Sequence, residues 1–80
     1  MAKETEELAT LVWLRQYLRS GNARELVDEF GLSCVAIGEI IDLTPSNVWN
    51  ALAGKQFPRR PAALRLARLL EQLEVVRLGS

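Results

Sequence analysis

"GLSCVAIGEIIDLTPSNVWNALAGKQFPRR", residues 31–60, holds two helix openings eleven residues apart. Ser33 stands before an apolar run, and its hydroxyl can accept from the free N–H groups of a first turn. Thr44 does the same before Pro45, whose missing N–H costs nothing at the first helical position. The spacing predicts a helix over 34–41, with Val35, Ile37, Ile40 and Ile41 buried and Gly38 leaving room for a neighbouring helix. A second helix follows from Pro45, burying Val48, Ala51 and Leu52 and stopping at Gly54. Between them Asp42-Leu43 must turn sharply, and Asp tolerates the left-handed conformation.

The rest of the chain reads outward from this pair. Upstream, over 4–20, Leu8, Leu11, Val12, Leu14 and Leu18 recur at spacings of three and four, with Ala9, Trp13 and Tyr17 widening the stripe. That is an amphipathic helix. Ser20-Gly21-Asn22 ends it, and Asn22 reads as the cap of a helix over 22–30, with Glu25 at capping-box spacing and Ala23, Leu26, Val27 and Phe30 inward. Gly31 closes that helix. Downstream, Pro58 and Pro61 bracket Arg59-Arg60 and keep this connection from becoming helical. A last helix begins near Pro61 and runs to about 73, with Ala63, Leu66, Ala67, Leu70 and Leu73 on one side and Leu64 and Leu69 beside them. The tail 75–80 is rich in β-formers, so 75–78 is either a short strand or fraying chain. The expectation is all-α: a compact five-helix bundle in one domain, 1–80, made of an N-terminal helix 4–20, a unit over 22–73 and the tail.

Composition narrows the function classes. In 80 residues a core supplies only about 3–5 kcal/mol, so a partner or a second copy would matter. An apolar fraction of 49% and a charged fraction of 25% suit a folded globular chain. One cysteine, Cys34, and no histidine cannot make a disulfide framework or a His/Cys zinc site, and no cofactor or metal is implied. No nucleophile–base pair and no phosphate-cradling glycine loop can be proposed, which argues against an enzyme. Cys34 reads as a small, semi-buried residue near a helix start. With neither a signal-peptide core nor a run of about 18 apolar residues, a soluble, cytoplasmic protein with no membrane contact is expected.

The formal net charge is zero, but its distribution is uneven. Residues 1–43 hold four cations and eight anions, whereas 44–70 hold Lys55, Arg59, Arg60, Arg65 and Arg68 and no anion. A one-sided basic segment is the electrostatic footprint of phosphate binding.

On these residues the chain resembles the helix-turn-helix unit of phage repressor and Cro-type DNA-binding proteins, the xenobiotic-response-element-like family. The resemblance covers about 22–73. It is carried by GLS before the first motif helix, Ile37 and Ile41 within it, the turn at Asp42-Leu43, Thr44 opening the second helix, Val48 inside it, and the exit Ala53-Gly54-Lys55 followed by a proline. PAALRLARLLEQL and the leading helix with SGNAREL resemble short actinobacterial and actinophage members. Cys34 stands where the family usually has Gln, Asp42 where the turn favours Gly, Gly38 where alanine is usual, and Ala51-Leu52 where short relatives often carry Trp and Glu. The resemblance implies a lambda-repressor-like fold and a transcriptional regulator that binds a double-stranded DNA operator, at least there as a homodimer.

In such a unit the second motif helix lies in the major groove, its N-terminal residues meeting base edges. Pro45, Ser46, Asn47, Trp49, Asn50 and Ala53 are the outward residues once Val48, Ala51 and Leu52 are buried. Asn47 or Asn50 can pair bidentately with adenine, Ser46 can donate or accept, and Trp49 can cover a thymine methyl or else pack in a core or between subunits. The resemblance places Lys55, Gln56, Arg59 and Arg60 along the phosphate backbone, joined by the caps Ser33 and Thr44. Two other readings stand beside this one. Trp13 and Tyr17, next to a wide apolar stripe, have the composition of an interface anchor, so the chain is alternatively a protein-interaction module; the same residues, or Val75 and Val76 of the tail, would form a dimer interface. An excisionase-like architectural DNA role is the other.

Overall fold

The helix openings at Ser33 and Thr44 form as the sequence predicts, and they organise the centre of the fold. The computed structural model of the chain describes residues 2–79, with side chains from Glu4 to Gly79. Five helices follow in order: α1 (Ala2–Ser20), α2 (Asn22–Glu29), α3 (Cys34–Ile41), α4 (Pro45–Leu52) and α5 (Arg60–Gly79). Among the described residues there is no strand.

Ser33 caps α3 by accepting from the Ala36 N–H at 3.1 Å, and Thr44 caps α4 by accepting from the Asn47 N–H at 3.3 Å. Asp42 ends α3 in the left-handed region at φ 63°. The Leu43 N–H then donates back to the Gly38 carbonyl at 2.9 Å. A Cβ at Gly38 would collide with the Leu43 carbonyl oxygen and reach Val48 Cγ2 at 3.5 Å. Glycine is therefore what lets the turn close onto α3 and seats α4 against it.

The core lies where all five helices meet. Leu14 and Leu18 of α1, Leu26 of α2, Ile37 and Ile41 of α3, Val48 of α4, and Leu66 and Leu70 of α5 are buried there. Each such side chain contributes roughly 1.5–3 kcal/mol through removal from water. Ala23, Ala51, Ala63 and Ala67 are buried in the same cluster. The two long helices, α1 and α5, pack side by side; α2 packs on both of them, and α3 and α4 pack on each other, with α3 reaching α5 and α4 reaching α1. Among the described residues no helix is long and apolar enough to cross a membrane.

Three expectations are corrected. Val35 and Ile40 are not buried but 55% exposed each. They are five residues apart, so they project about 140° apart on the flanks of the buried Ile37 and Ile41, and one short helix has no core on both sides. Asn22 does not cap α2. Gly21, at φ 85°, occupies the cap position and turns the chain in one residue, while the Asn22 N–H donates to Ser20 Oγ at 3.2 Å. Phe30, just past the end of α2, is half-buried and packs inward against the core as expected. The tail is neither strand nor frayed chain: α5 continues through Val75 and Val76 to Gly79, with Ser80 outside the described residues. Arg77 favours this continuation, because its guanidinium lies 3.6 Å from Glu74 one turn back and 3.4 Å from Glu29 of α2.

Candidate nucleic-acid interface

Burial of Val48, Ala51 and Leu52 fixes which side of α4 faces outward. At about 100° per residue, Ser46, Asn50 and Ala53 run along the middle of that side, with Trp49 on one flank and Asn47 on the other. Pro45, Ser46, Asn47 and Trp49 are exposed and Asn50 is half-buried. Trp49 is therefore not a core residue: it is 43% exposed.

Each flank carries cations. Over the Trp49 ring lie Lys55 Nζ, 4.7 Å from the centroid, and the Arg24 guanidinium, 5.9 Å from it. Both fall within the range of cation–π attraction, so the indole holds two positive heads beside α4. Lys55 arrives there because Gly54, at φ 74°, folds the chain back, and the Lys55 and Gln56 N–H groups both donate to the Asn50 carbonyl, at 2.9 and 3.3 Å. On the other flank, Asn47 opens onto a groove shared with Asp42, Gln56, Arg59 and Arg65. This groove lies between the α3–α4 turn and the start of α5.

Arg59 and Arg60 are exposed at the opening of α5, and Arg60 is already its first residue. The prolines shape the approach to the helix without delaying it, since Pro61 fits a first turn. The Ala63 N–H donates to the Arg59 carbonyl at 2.7 Å. Cations at this end oppose the helix dipole, whose N-terminus carries partial positive charge and favours anions. The first turn of α5 has no acidic residue to offset them.

The two capping hydroxyls, Ser33 and Thr44, are exposed at neighbouring helix starts. Each accepts from its own helix and keeps an O–H free to donate outward. Thr44 shares the N-terminus of α4 with Ser46 and Asn47. Ser33 belongs to the start of α3.

Three cations escaped the linear reading. Arg15, Arg19 and Arg24 fall in the acidic part of the sequence, yet the fold brings them to the C-terminal end of α4. The Arg15 guanidinium lies over the Phe57 ring at 4.6 Å. Arg19 borders a hollow with Gly54, Lys55 and Phe57, and Arg24 reaches Trp49. Phe57, an aromatic set among cations, was the only hint in the sequence.

Trp13 and Tyr17 do different work. Their rings stack at 4.9 Å with an interplanar angle of 23°, and the Tyr17 hydroxyl donates to Glu74 Oε1 at 3.0 Å. Burial raises the Tyr17 pKa above its ordinary value of 10.0, and the neighbouring Glu74 carboxylate raises it further. Val75 borders a hollow with Ala9, Thr10 and Trp13, whereas the exposed Val76 is turned about 100° away. Cys34 is a half-buried free thiol. Among the described residues, no group of His, Cys, Asp and Glu side chains is placed to hold a metal ion. No protein-family model, curated protein or solved structure matches the chain.

Proposed function

We propose that this chain is a sequence-specific double-stranded DNA-binding protein, a transcriptional regulator of the Cro or repressor type. In this reading α3, the turn at Asp42-Leu43 and α4 are its helix-turn-helix and α4 is the recognition helix. The observation that carries the reading is the outer side of α4: Ser46, Asn47, Asn50 and an exposed Trp49, with cations on both flanks. Arg59 and Arg60 support it further, since they sit where the dipole of α5 disfavours them and an external anion would compensate.

The arrangement works as follows. The N-terminal half of α4 enters the major groove, where Asn47 and Asn50 present amides able to pair with adenine N6 and N7. Trp49 covers a thymine methyl, and Ser46 donates or accepts. Pro45 brings the α4 backbone close to the base edges. Thr44 and Ser33 donate to phosphate oxygens at their helix starts, and Lys55, Gln56, Arg59 and Arg60 track the backbone. Two copies bound one helical turn apart would read an inverted repeat, and occupancy of such an operator in the cytoplasm would exclude polymerase.

Selection of bound sites from a random duplex pool at about physiological salt tests this. Enrichment of an inverted repeat is expected; folded protein that enriches no sequence would overturn the reading. A second reading, a protein-interaction module, is favoured by one observation: Leu8 and Val12 of α1 and Val75 and Leu78 of α5 are large apolar side chains left exposed. An architectural role would instead appear as strong bending of the bound duplex.

A further inference from the structure

The cations at the C-terminal end of α4 belong to three separate parts of the chain. Arg15 and Arg19 come from α1, Arg24 from α2 and Lys55 from the α4 exit. All four are exposed, and among the described residues none has an ion-pair partner. Their proximity is built in. A Cβ on Gly54 would lie 3.4 Å from the Leu18 carbonyl oxygen and 3.5 Å from Arg19 Cα, so the α4 exit packs directly on the end of α1. Phe57 then supports the Arg15 guanidinium, and Trp49 supports the Arg24 guanidinium and the Lys55 ammonium at its ring. Aromatic support restrains long side chains that solvent would otherwise leave mobile, which lowers the entropy lost when they meet an anion.

We propose that Arg15, Arg19, Arg24 and Lys55 form a phosphate-contacting ridge that extends the DNA site onto α1 and α2. The proposal rests on the DNA reading above. A helix of about 10–12 Å diameter fills a major groove about 12 Å wide. Groups beside its ends therefore meet the sugar–phosphate walls. Arg59 and Arg60 serve one wall, and the ridge at the C-terminal end of α4 serves the other. A DNA backbone suits it better than an isolated anion, because its cations do not all share one hollow: Arg15, Arg19 and Lys55 line one, while Arg24 lies outside it against Trp49. The simpler account is that the cations only offset the partial negative charge at the C-terminus of α4. That account predicts an effect on stability and none on the salt dependence of DNA binding.

The test is the affinity for mixed-sequence duplex DNA across a salt series, for the unaltered chain, for Arg15→Gln with Arg19→Gln, and for Arg68→Gln. Arg68 lies elsewhere, in a hollow bordered by Glu6, Glu7 and Glu71, and controls for the general loss of positive charge. At about 0.9 per phosphate contact, loss of two contacts lowers the slope of log K against log salt by roughly 1.8. Arg68→Gln should leave it unchanged. Should the double substitution impair folding, as seen by circular dichroism, Arg19→Gln with Arg24→Gln reads the same ridge through residues that the DNA reading above does not use. An unchanged slope in folded ridge variants, or an equal fall in Arg68→Gln, overturns the ridge and leaves the DNA reading standing. Absence of duplex binding by the unaltered chain at low salt overturns both.

Discussion

Two regions of this molecule place tryptophan beside charged groups, and they treat those charges in opposite ways. Where α1, α2 and α5 meet, Trp13 stacks on Tyr17, Tyr17 donates to Glu74, and Arg77 lies within ion-pair distance of both Glu74 and Glu29. Glu74, Arg77 and Glu29 there answer one another from different turns and helices. At the end of α4, Trp49 faces Arg24 and Lys55, and Phe57 faces Arg15, and among the described residues no anion is paired with any of the four ridge cations. The first arrangement is complete within the chain and braces it. The second gathers like charges, an arrangement that costs stability unless a partner brings the opposite sign.

The turn at Gly38 sets the whole α4 surface in place, so breaking it should give the largest effect. Gly38→Ala introduces a Cβ that meets the Leu43 carbonyl oxygen, a backbone atom unable to swing aside. A loss of about 1–3 kcal/mol is expected, a large share of what so small a core supplies. Thermal unfolding checks it, with a fall of roughly 4–8 °C for each kcal/mol. An unchanged midpoint would mean that the turn is not held as described.

The two regions also differ in how far the sequence disclosed them. The α4 surface is set by local signals: Ser33 and Thr44 as caps, Pro45 at a first turn, Asp42 in the left-handed region, and the Val48, Ala51 and Leu52 stripe that defines what remains outside. These depend on neighbours only a few residues away, so a linear reading reaches them. The positions of Arg15, Arg19 and Arg24 depend on how α1 and α2 dock against α4, which no local spacing encodes. Counting charge along the chain assigned them to the acidic part. The brace was hidden for the same reason: Tyr17 and Glu74 are 57 residues apart. Val75 and Val76 looked like strand formers, and tertiary pairing through Arg77 overrides that weak propensity. Likewise the exposed flanks of α3 show that four apolar residues in an eight-residue helix need not share one face.

Within the α4 surface, substitutions should separate reading from holding. Asn50→Ala is expected to cost roughly 1–3 kcal/mol of preference at one base pair while leaving other positions intact. Competition among single-base operator variants measures it, and undiminished discrimination would remove Asn50 from the reading face. Arg59→Ala with Arg60→Ala should instead weaken binding to all sequences alike, lowering the salt slope by about 1.8. Because both cations oppose the dipole of α5, the same pair should leave the free protein no less stable, and marginally more so at low salt. A lower melting midpoint for the double variant would show that they serve the fold.

The smallest effect is expected in the brace. Tyr17→Phe keeps the stacked ring and removes one hydrogen bond, costing about 0.5–1.5 kcal/mol, toward the lower end because solvent reaches the group. Its pH dependence gives the sharper reading. Burial, and then the Glu74 carboxylate, disfavour the phenolate, so the folded-state pKa is raised above 10.0. Between the unfolded and folded values the native chain holds a proton that the unfolded chain has released, and stability falls with rising pH. The contribution is therefore fully present below about pH 10 and is lost as pH rises through the folded value. Tyr17→Phe has no such proton, so the stability gap between the two proteins should narrow in alkali while DNA affinity near neutral pH stays equal. A gap constant with pH would mean that Glu74 does not hold the hydroxyl. A loss of DNA affinity at neutral pH would mean that the brace and the α4 surface are energetically coupled.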